Sequence, residues 1–425
     1  MIRAICRGPN FDHANAISAI PRITHRIYSA LEAETRALQR ARSIRQLSAP
    51  FVVSNFKESR TARNGKPMNK PALKLAARTA ATTHGQQKES HAIDPRLAHR
   101  QSTSWRSQFR DDVLNGLEST PRKLSSLYFY DDQGSALFDK ITRLPEYYLT
   151  RSEQAILHAH ARDIAVLVAN EPVCVVDLGA GSGEKTRCLI QALLAQGTDV
   201  TYAPLDVSDG ALRSAEQSIR TQFPSLKIEL VQGEYVPGLA RIRKAQAGKK
   251  LLVLWLGSSI GNLTDQDATA LLQDLANECT AQDVMLIGFD LLKDPKMLVA
   301  AYDDAQGVTA EFNFNLLRRI NRELDGNIDV DAFSHYATFN PLQSRMESYL
   351  ISRKAQSVTV AGHTFELDAW EPIHTEISCK YSRERIASIV RQAGLKSLAA
   401  YVDAGGTFLD IACVRRPALS SKNLL

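Results

Sequence analysis

The segment 173–186 constrains this chain more than any other. A short apolar run, Val173 to Val176, leads into Asp177, and three glycines follow at alternate positions, Gly179, Gly181 and Gly183. The run is largely β-branched, which reads as a strand buried on both faces of a parallel sheet. A helix is expected from about Glu184. Glycines there let the backbone approach a ligand, and the first turn of the helix offers unpaired N–H groups. The spacing is Gly-x-Gly-x-Gly, whereas a dinucleotide loop needs Gly-x-Gly-x-x-Gly. The segment Gly181–Thr186 also misses a phosphate loop, because Glu184 stands where glycine must precede the lysine, and its carboxylate would repel phosphate.

The chain has 425 residues, enough for one large or two ordinary domains. No apolar run approaches the ~18 residues of a membrane span. Six cysteines are scattered with no Cys-x-x-Cys pair, which reads as reduced thiols in a cytoplasmic protein. His158 and His160 are close, but no second cluster accompanies them, so no metal is expected. The net charge of +6 hides an asymmetry. Residues 1–100 hold 18 Lys+Arg against 6 Asp+Glu, and the remainder holds 34 against 40. The body is therefore mildly acidic, which argues against nucleic acid as its partner. Residues 1–103 read as a basic, disordered N-terminal extension with one amphipathic helix near 27–47. An organelle transit peptide and a start assigned too far upstream are the other readings of this segment.

From about Ser104 the pattern becomes globular. Helices are expected at 109–117 and 155–168. Strands are expected at 173–178, 200–207, 228–232, 251–257 and 284–290, with helices between them near 185–195, 209–222 and 265–277. This alternation predicts an α/β fold, a doubly wound parallel sheet with ligand outside the carboxyl ends of its strands. The alternation breaks after Asp290. A long helical stretch, 295–324, is followed by strand-like runs at 346–353 and 357–367, a helix at 382–393 and a last strand near 407–414. The interruption predicts a second lobe inserted between late strands. The sheet core is expected at about 166–292 plus the C-terminal strands, and the lobe at about 104–165 and 293–385. Residues 416–425 read as a tail.

Several residues near expected strand ends carry chemistry. Asp206 ends the second strand, where a carboxylate can accept hydrogen bonds from both ribose hydroxyls of an adenosine; the alternative is a helix N-cap. Glu234 and Tyr235 close the third strand, and an acid followed by an aromatic suits an adenine amino group and ring face. Lys185 can neutralise a ligand carboxylate or can be a solvated helix lysine. Gly257, Ser258 and Asn262 close the fourth strand, with small residues leaving room and Asn262 offering donor and acceptor. Together with the glycine spacing, these features match the Asp/Glu-x-Gly-x-Gly loop of S-adenosylmethionine methyltransferases.

Longer strings carry a more specific resemblance. They are Tyr-Phe-Tyr-Asp-Asp-Gln-Gly-Ser at 128–135, Thr-Arg-Leu-Pro-Glu-Tyr-Tyr at 142–148, Leu-Gly-Ser-Ser-Ile-Gly-Asn at 256–262, Ala-Tyr-Asp-Asp-Ala-Gln-Gly-Val-Thr-Ala at 301–310 and Thr-Glu-Ile-Ser-Cys-Lys-Tyr at 375–381. From about Ser104 to Arg415 the chain resembles the histidine N-alpha-methyltransferases of ergothioneine biosynthesis. The resemblance implies a Rossmann-like class I methyltransferase sheet with an inserted substrate-binding lobe. It implies S-adenosylmethionine as methyl donor, no metal, and trimethylation of the α-amino group of L-histidine to hercynine by a cytoplasmic monomer. It assigns Gly179, Gly181, Lys185, Asp206, Glu234 and Tyr235 to the cofactor. It assigns Tyr147, Asn262 and Tyr302 to the amino and carboxylate ends of the substrate and to catalysis. Glu376, Ile377 and Ser378 fall to the imidazole side, with Gly257 beside the substrate. Two positions depart from the family: Glu234 where Asp is frequent, and Ser348 where Met is common. The second leaves a related methyltransferase of another amino acid or amine as the alternative. An inactive relative that only binds the cofactor, and an RNA methyltransferase using the basic arm, are the other readings.

Overall fold

The structure is a computed structural model that describes residues 105–168 and 171–417. The basic segment with its expected helix at 27–47, and most of the tail, lie outside the described residues. Three helices come first: α1 (Trp105–Glu118), α2 (Asp132–Ile141) and α3 (Leu149–Val166). The alternating core follows, with β1 (Val173–Leu178), α4 (Arg187–Ala195), β2 (Val200–Asp206), α5 (Asp209–Gln222), β3 (Lys227–Ile228) and β4 (Val231–Gln232). It continues with α6 (Tyr235–Ala245), β5 (Lys250–Trp255), α7 (Asp265–Asn277) and β6 (Val284–Asp290). Next come α8 (Pro295–Tyr302), α9 (Val308–Glu323), β7 (Phe333–Asn340), β8 (Arg345–Ser352), β9 (Gln356–Val360), β10 (His363–Leu367) and β11 (Pro372–Cys379). The chain returns to the core with α10 (Arg383–Gln392), β12 (Leu395–Val402) and β13 (Phe408–Arg415).

The main sheet runs β12-β13-β6-β5-β1-β2-β3, with β4 also paired to β2. β1 lies parallel to β2 on one side and to β5 on the other, and β5 is parallel to β6. β13 enters antiparallel to β6. The strand order therefore reverses at β1, which opens a ligand crevice outside the carboxyl ends of β1 and β5. Every residue of β1 and β6 is buried. Their alternate side chains feed two cores, one on each face: Val173, Val175 and Leu286 on the first, Cys174, Val176 and Ile287 on the second. The first core continues into the N-terminal helices and the lobe through Phe109, Phe129, Leu316 and Leu350. That continuity holds the lobe against the sheet.

The lobe contains an antiparallel sheet, β11-β8-β7, and a separate hairpin, β9-β10. Ala361 and Gly362 both take positive φ at the hairpin turn, so the expected single run at 357–367 folds back on itself. The expected long helix at 295–324 is two helices, because Gly307 adopts φ +73° between them. The expected strand at 228–232 is two short pieces pairing with β2 at different registers. β7, β11 and β12 were not anticipated from the pattern, nor were α2 and α6. In β11 the reason is clear: Glu376, Ser378 and, just beyond, Lys380 interrupt the apolar alternation, yet Ser378 and Lys380 are buried.

Gly288 in β6 pairs with Asp410 of β13. An added Cβ there would collide with Glu153 Oε1 and lie 3.0 Å from Phe408 Cε1. Neither neighbour can yield, since Glu153 is buried and hydrogen-bonded and Phe408 is core. Gly288→Ala is expected to destabilise the protein by about 1–3 kcal/mol. Equilibrium urea unfolding checks this, and an unchanged midpoint would show that the helix α3 and β6 are not locked together here.

Candidate active site

The crevice begins with the glycine loop. Gly179, Gly181 and Gly183 take φ of +68°, +53° and +66°. These left-handed conformations are why the loop needs glycine, and a Cβ on Gly179 would lie 2.8 Å from the Tyr235 hydroxyl. Asp177 does not face the crevice. Its Oδ2 accepts from Thr186 Oγ1 at 2.5 Å and Tyr202 Oη at 3.0 Å, which braces the loop against the next turn and against β2. Burial pushes its carboxyl up to about 6, against those two hydrogen bonds. Asp206, at the end of β2, accepts from the backbone N–H of Ser208 at 2.9 Å and of Gly181 at 3.4 Å. Burial raises its carboxyl from the ordinary value. Tyr235 lies half-buried with its ring edge-on to Trp255.

Lys185 is not a solvated lysine. Its ammonium pairs with Glu153, whose side chain is fully buried on α3. The other oxygen of Glu153 accepts from the Gly257 N–H at 2.7 Å. One carboxylate thus ties the first helix past the glycines to the turn after β5. Asp410 lies on the same side of Gly288 in β6, and burial together with the Glu153 charge raises its carboxyl well above the usual range.

Beyond β5 the chain makes a tight turn. Gly257 has φ +80° and Ser258 has φ +58°, the latter an uncommon conformation for a residue with a side chain. Ser258 is held there because its Oγ accepts from the Asp290 N–H at 2.9 Å. The following helical turn, Ser259–Asn262, abuts β11: a Cβ on Gly261 would lie 3.1 Å from Cys379 O and 3.4 Å from Ser378 Oγ. The lobe strand therefore arrives beside Asn262.

On β11 side chains alternate in direction. Thr375, where the register against β8 shifts, bonds to Asn313, and beyond it Cys379 bonds to Leu263 and packs on the second core. Glu376 and Ser378 share the opposite face. Ser378 Oγ accepts from Tyr302 Oη at 2.7 Å and from Lys380 Nζ at 2.9 Å, and Lys380 also donates to Tyr302 Oη at 2.8 Å. Lys380 is fully buried and pairs with Asp290 at 2.8 Å. Tyr148 Oη donates to both oxygens of Asp290 at 2.9 and 2.8 Å, and Lys293 pairs with the same group. Burial pulls the Lys293 ammonium down to about 8, against the attraction of Asp290.

Glu376 is half-buried on the same face of β11 as Ser378. Burial pushes its carboxyl up to about 7, against the pull of the Lys380 ammonium. Burial raises the Tyr130, Tyr147 and Tyr302 phenols, and the Glu376 charge adds to each. Charge on Tyr147, Tyr235 or Tyr302 would raise Tyr130 further. Ser348 lies directly across β8 from Glu376 and is buried.

The arrangement fits an adenosyl cofactor. The glycine cradle would be filled by a Cβ at Gly179, Asp206 stands at the neighbouring strand end, and the aromatic Tyr235 borders both. Among the described residues no group of three His, Cys, Asp or Glu side chains is placed to hold a metal ion, and no helix is long and apolar enough to cross a membrane.

Residues 109–415 match the model of the S-adenosylmethionine-dependent histidine-specific methyltransferases. The chain belongs to this family. It is 42% identical over 301 residues to the histidine N-alpha-methyltransferase of Mycolicibacterium smegmatis, covering 70% of this chain and 92% of that protein. It is 40% identical over the same length to the histidine N-alpha-methyltransferase of Mycobacterium tuberculosis, with the same shares covered. A 4-dimethylallyltryptophan N-methyltransferase of Penicillium roqueforti is 27% identical over 317 residues, 71% of this chain and 92% of that protein.

Of the residues singled out in the sequence, Gly179, Gly181, Asp206 and Tyr235 line the loop side, with Glu234 at the N-terminus of α6. Lys185 and Gly257 meet through Glu153. Tyr302 and Ser378 are bonded to each other, and Asn262 lies on the turn packed on β11. Ile377 points to the other face of β11 and packs on the second core, so only its backbone faces the crevice side. Sequence reasoning missed Tyr130, Glu153, Asp290 and Lys380. Tyr130 and Lys380 stood inside quoted strings; Glu153 and Asp290 are isolated charged residues whose burial no local pattern reveals.

Removal of the Asp206 carboxylate should weaken S-adenosylmethionine binding by roughly 10–100-fold, the loss of charged hydrogen bonds to ribose hydroxyls. Calorimetric titration of Asp206→Ala checks this; an unchanged Kd excludes the ribose role. Glu376 gives a second test. Its carboxyl lies at about 7 in the folded chain against an ordinary 4.5. Between those values the native state binds more protons than the unfolded chain, so ligand-free stability falls as pH rises through this window. Glu376→Gln should flatten that fall between pH 5 and 7.5 in thermal unfolding. Parallel curves for parent and variant would mean the acid is not enclosed.

Proposed function

We propose that this protein transfers methyl groups from S-adenosylmethionine to the α-amino nitrogen of L-histidine, forming hercynine. The observation that carries the reading is the pairing of a half-buried acid, Glu376, with the buried hydroxyl of Ser378 on one face of β11. An imidazole needs a hydrogen-bond partner at each nitrogen, and these two side chains can supply both. A polar site of this kind rejects side chains that leave its groups unpaired. The 42% identical relative bears the same activity in its name.

When bound, S-adenosylmethionine supplies an electrophilic methyl group on a sulfonium sulfur. Gly179, Gly181, Asp206, Glu234 and Tyr235 would hold its adenosine part, and Lys185 its carboxylate end. Tyr147, Asn262 and Tyr302 would take the amino and carboxylate ends of histidine. The phenols of Tyr147 and Tyr302 are raised well above their ordinary range by burial, so they stay protonated at neutral pH. They act as hydrogen-bond partners rather than bases. An ammonium has no lone pair, so the amine must bind or become neutral. Desolvation favours that form, and the proton leaves to water. The rate gain then comes mainly from alignment, worth up to roughly 7–11 kcal/mol in well-oriented systems. Gly257 and Ser258 keep the turn small, leaving room for mono- and dimethylated amines. We take the catalytic unit to be a monomer.

A second reading has one observation behind it. Ser348, small and directly opposite Glu376, leaves more room than a long side chain would, which favours a larger aromatic amino acid.

The test is direct. Purified protein with S-adenosylmethionine and a panel of amino acids should convert histidine to the trimethylated mass, with tryptophan and tyrosine far slower. Glu376→Ala should lower kcat/KM for histidine roughly 10–100-fold, the loss of a charged hydrogen bond, while cofactor affinity holds. A parent-like histidine rate in this variant, or preferred methylation of another amino acid, overturns the assignment.

A further inference from the structure

Lys380 touches both hydroxyls on the lobe side of the site and has no exposure to solvent. An ammonium only donates, so it occupies one lone pair on Tyr302 Oη at 2.8 Å and one on Ser378 Oγ at 2.9 Å. Tyr302 in turn donates to Ser378 at 2.7 Å. A serine hydroxyl has two acceptor lone pairs and one proton. Both lone pairs of Ser378 are therefore taken, and its remaining direction is the O–H itself. Lys380 cannot swing away, because Asp290 holds it at 2.8 Å from inside the fold. Asp290 is itself oriented by Tyr148 and by its backbone bond to Ser258.

The geometry points to Lys380 as a positioning residue that fixes Ser378 as a hydrogen-bond donor, so that the site selects a ring presenting an unprotonated nitrogen to Ser378 and an N–H to Glu376. This rests on the reading of Glu376 and Ser378 as the ring contacts. Neutral imidazole has one nitrogen of each kind. A ring without an acceptor nitrogen leaves the Ser378 proton unpaired in a buried place, and an imidazolium meets it with a second donor. Lys380 acts through Ser378 and touches no reacting atom, so its effect belongs to choice of ring rather than to transfer of the methyl group.

Lys380→Met keeps the length and removes the charge. Asp290 is not orphaned by this change, since Lys293 and Tyr148 still bond to it. Lys380→Gln serves as a second variant should the first fail to fold. The readout is the ratio of dissociation constants for L-histidine and 3-(2-thienyl)-L-alanine, whose ring has no nitrogen. Calorimetry measures it on the full chain with S-adenosylhomocysteine present. Parent, Lys380→Met, Ser378→Ala and the double variant complete a cycle. Ser378→Ala should cut the preference for histidine roughly tenfold, the loss of one buried hydrogen bond. Lys380→Met should cut it at least threefold, and adding it to Ser378→Ala should change the ratio little. S-adenosylhomocysteine affinity should hold in every variant, which a merely structural role for Lys380 would not allow. If Ser378→Ala lowers the ratio and Lys380→Met does not, or if the two losses add in full, the positioning role is wrong. If Ser378→Ala leaves the ratio unchanged, the ring contact itself is wrong and this role falls with it.

Discussion

The carboxylate of Asp290 is the group on which the rest of this site depends. It ends β6, is fully buried, and collects Tyr148 from the start of α3, Lys293 from the loop after β6, and Lys380 from the end of β11. Three segments far apart in the chain meet at one charge. Burying a carboxylate with two ammonium groups recovers its desolvation cost only when the geometry is good, and removing one partner of such a cluster is costly. The cluster is thus poor as a source of net stability and strong as a specification of geometry. Here it specifies how the lobe meets the sheet.

A second carboxylate does the same for the cofactor side. Glu153 joins the Lys185 ammonium to the Gly257 backbone, and its helix α3 packs on α4 and β13. Both anchors lie on or beside α3, with Tyr148 at its N-terminus and Glu153 one turn on. The N-terminal helices are therefore part of the site's scaffold. Around these fixed points the phenols stay protonated and orienting, while Glu376 keeps an acid within reach of neutral pH.

The glycine loop and the first strand ends were legible from residues alone, because their chemistry is contiguous. Gly179 to Gly183 need positive φ, and Asp206 ends its strand at the expected place. The alternating core was legible for the same reason, since strands buried on both faces are continuous apolar runs. The lobe was less so. β11 carries Glu376, Ser378 and Lys380 inward, which breaks the apolar alternation that marks a strand. Asn262 was marked by its place at a strand end, but Tyr147, Tyr302, Glu376 and Ser378 were named through resemblance to a family; no spacing connects residues separated by tens to hundreds of positions.

By itself the sequence determined the doubly wound sheet and the cofactor loop, since hydrophobic period and glycine position act over a few residues. Tertiary structure alone decided that Lys185 is paired rather than solvated, that Asp177 braces the loop rather than facing ligand, and that Lys380 is buried between two hydroxyls. The physical reason is that a charged side chain carries no local sign of its surroundings. Whether it is solvated, paired or aimed at a ligand depends on which distant segments the fold brings against it.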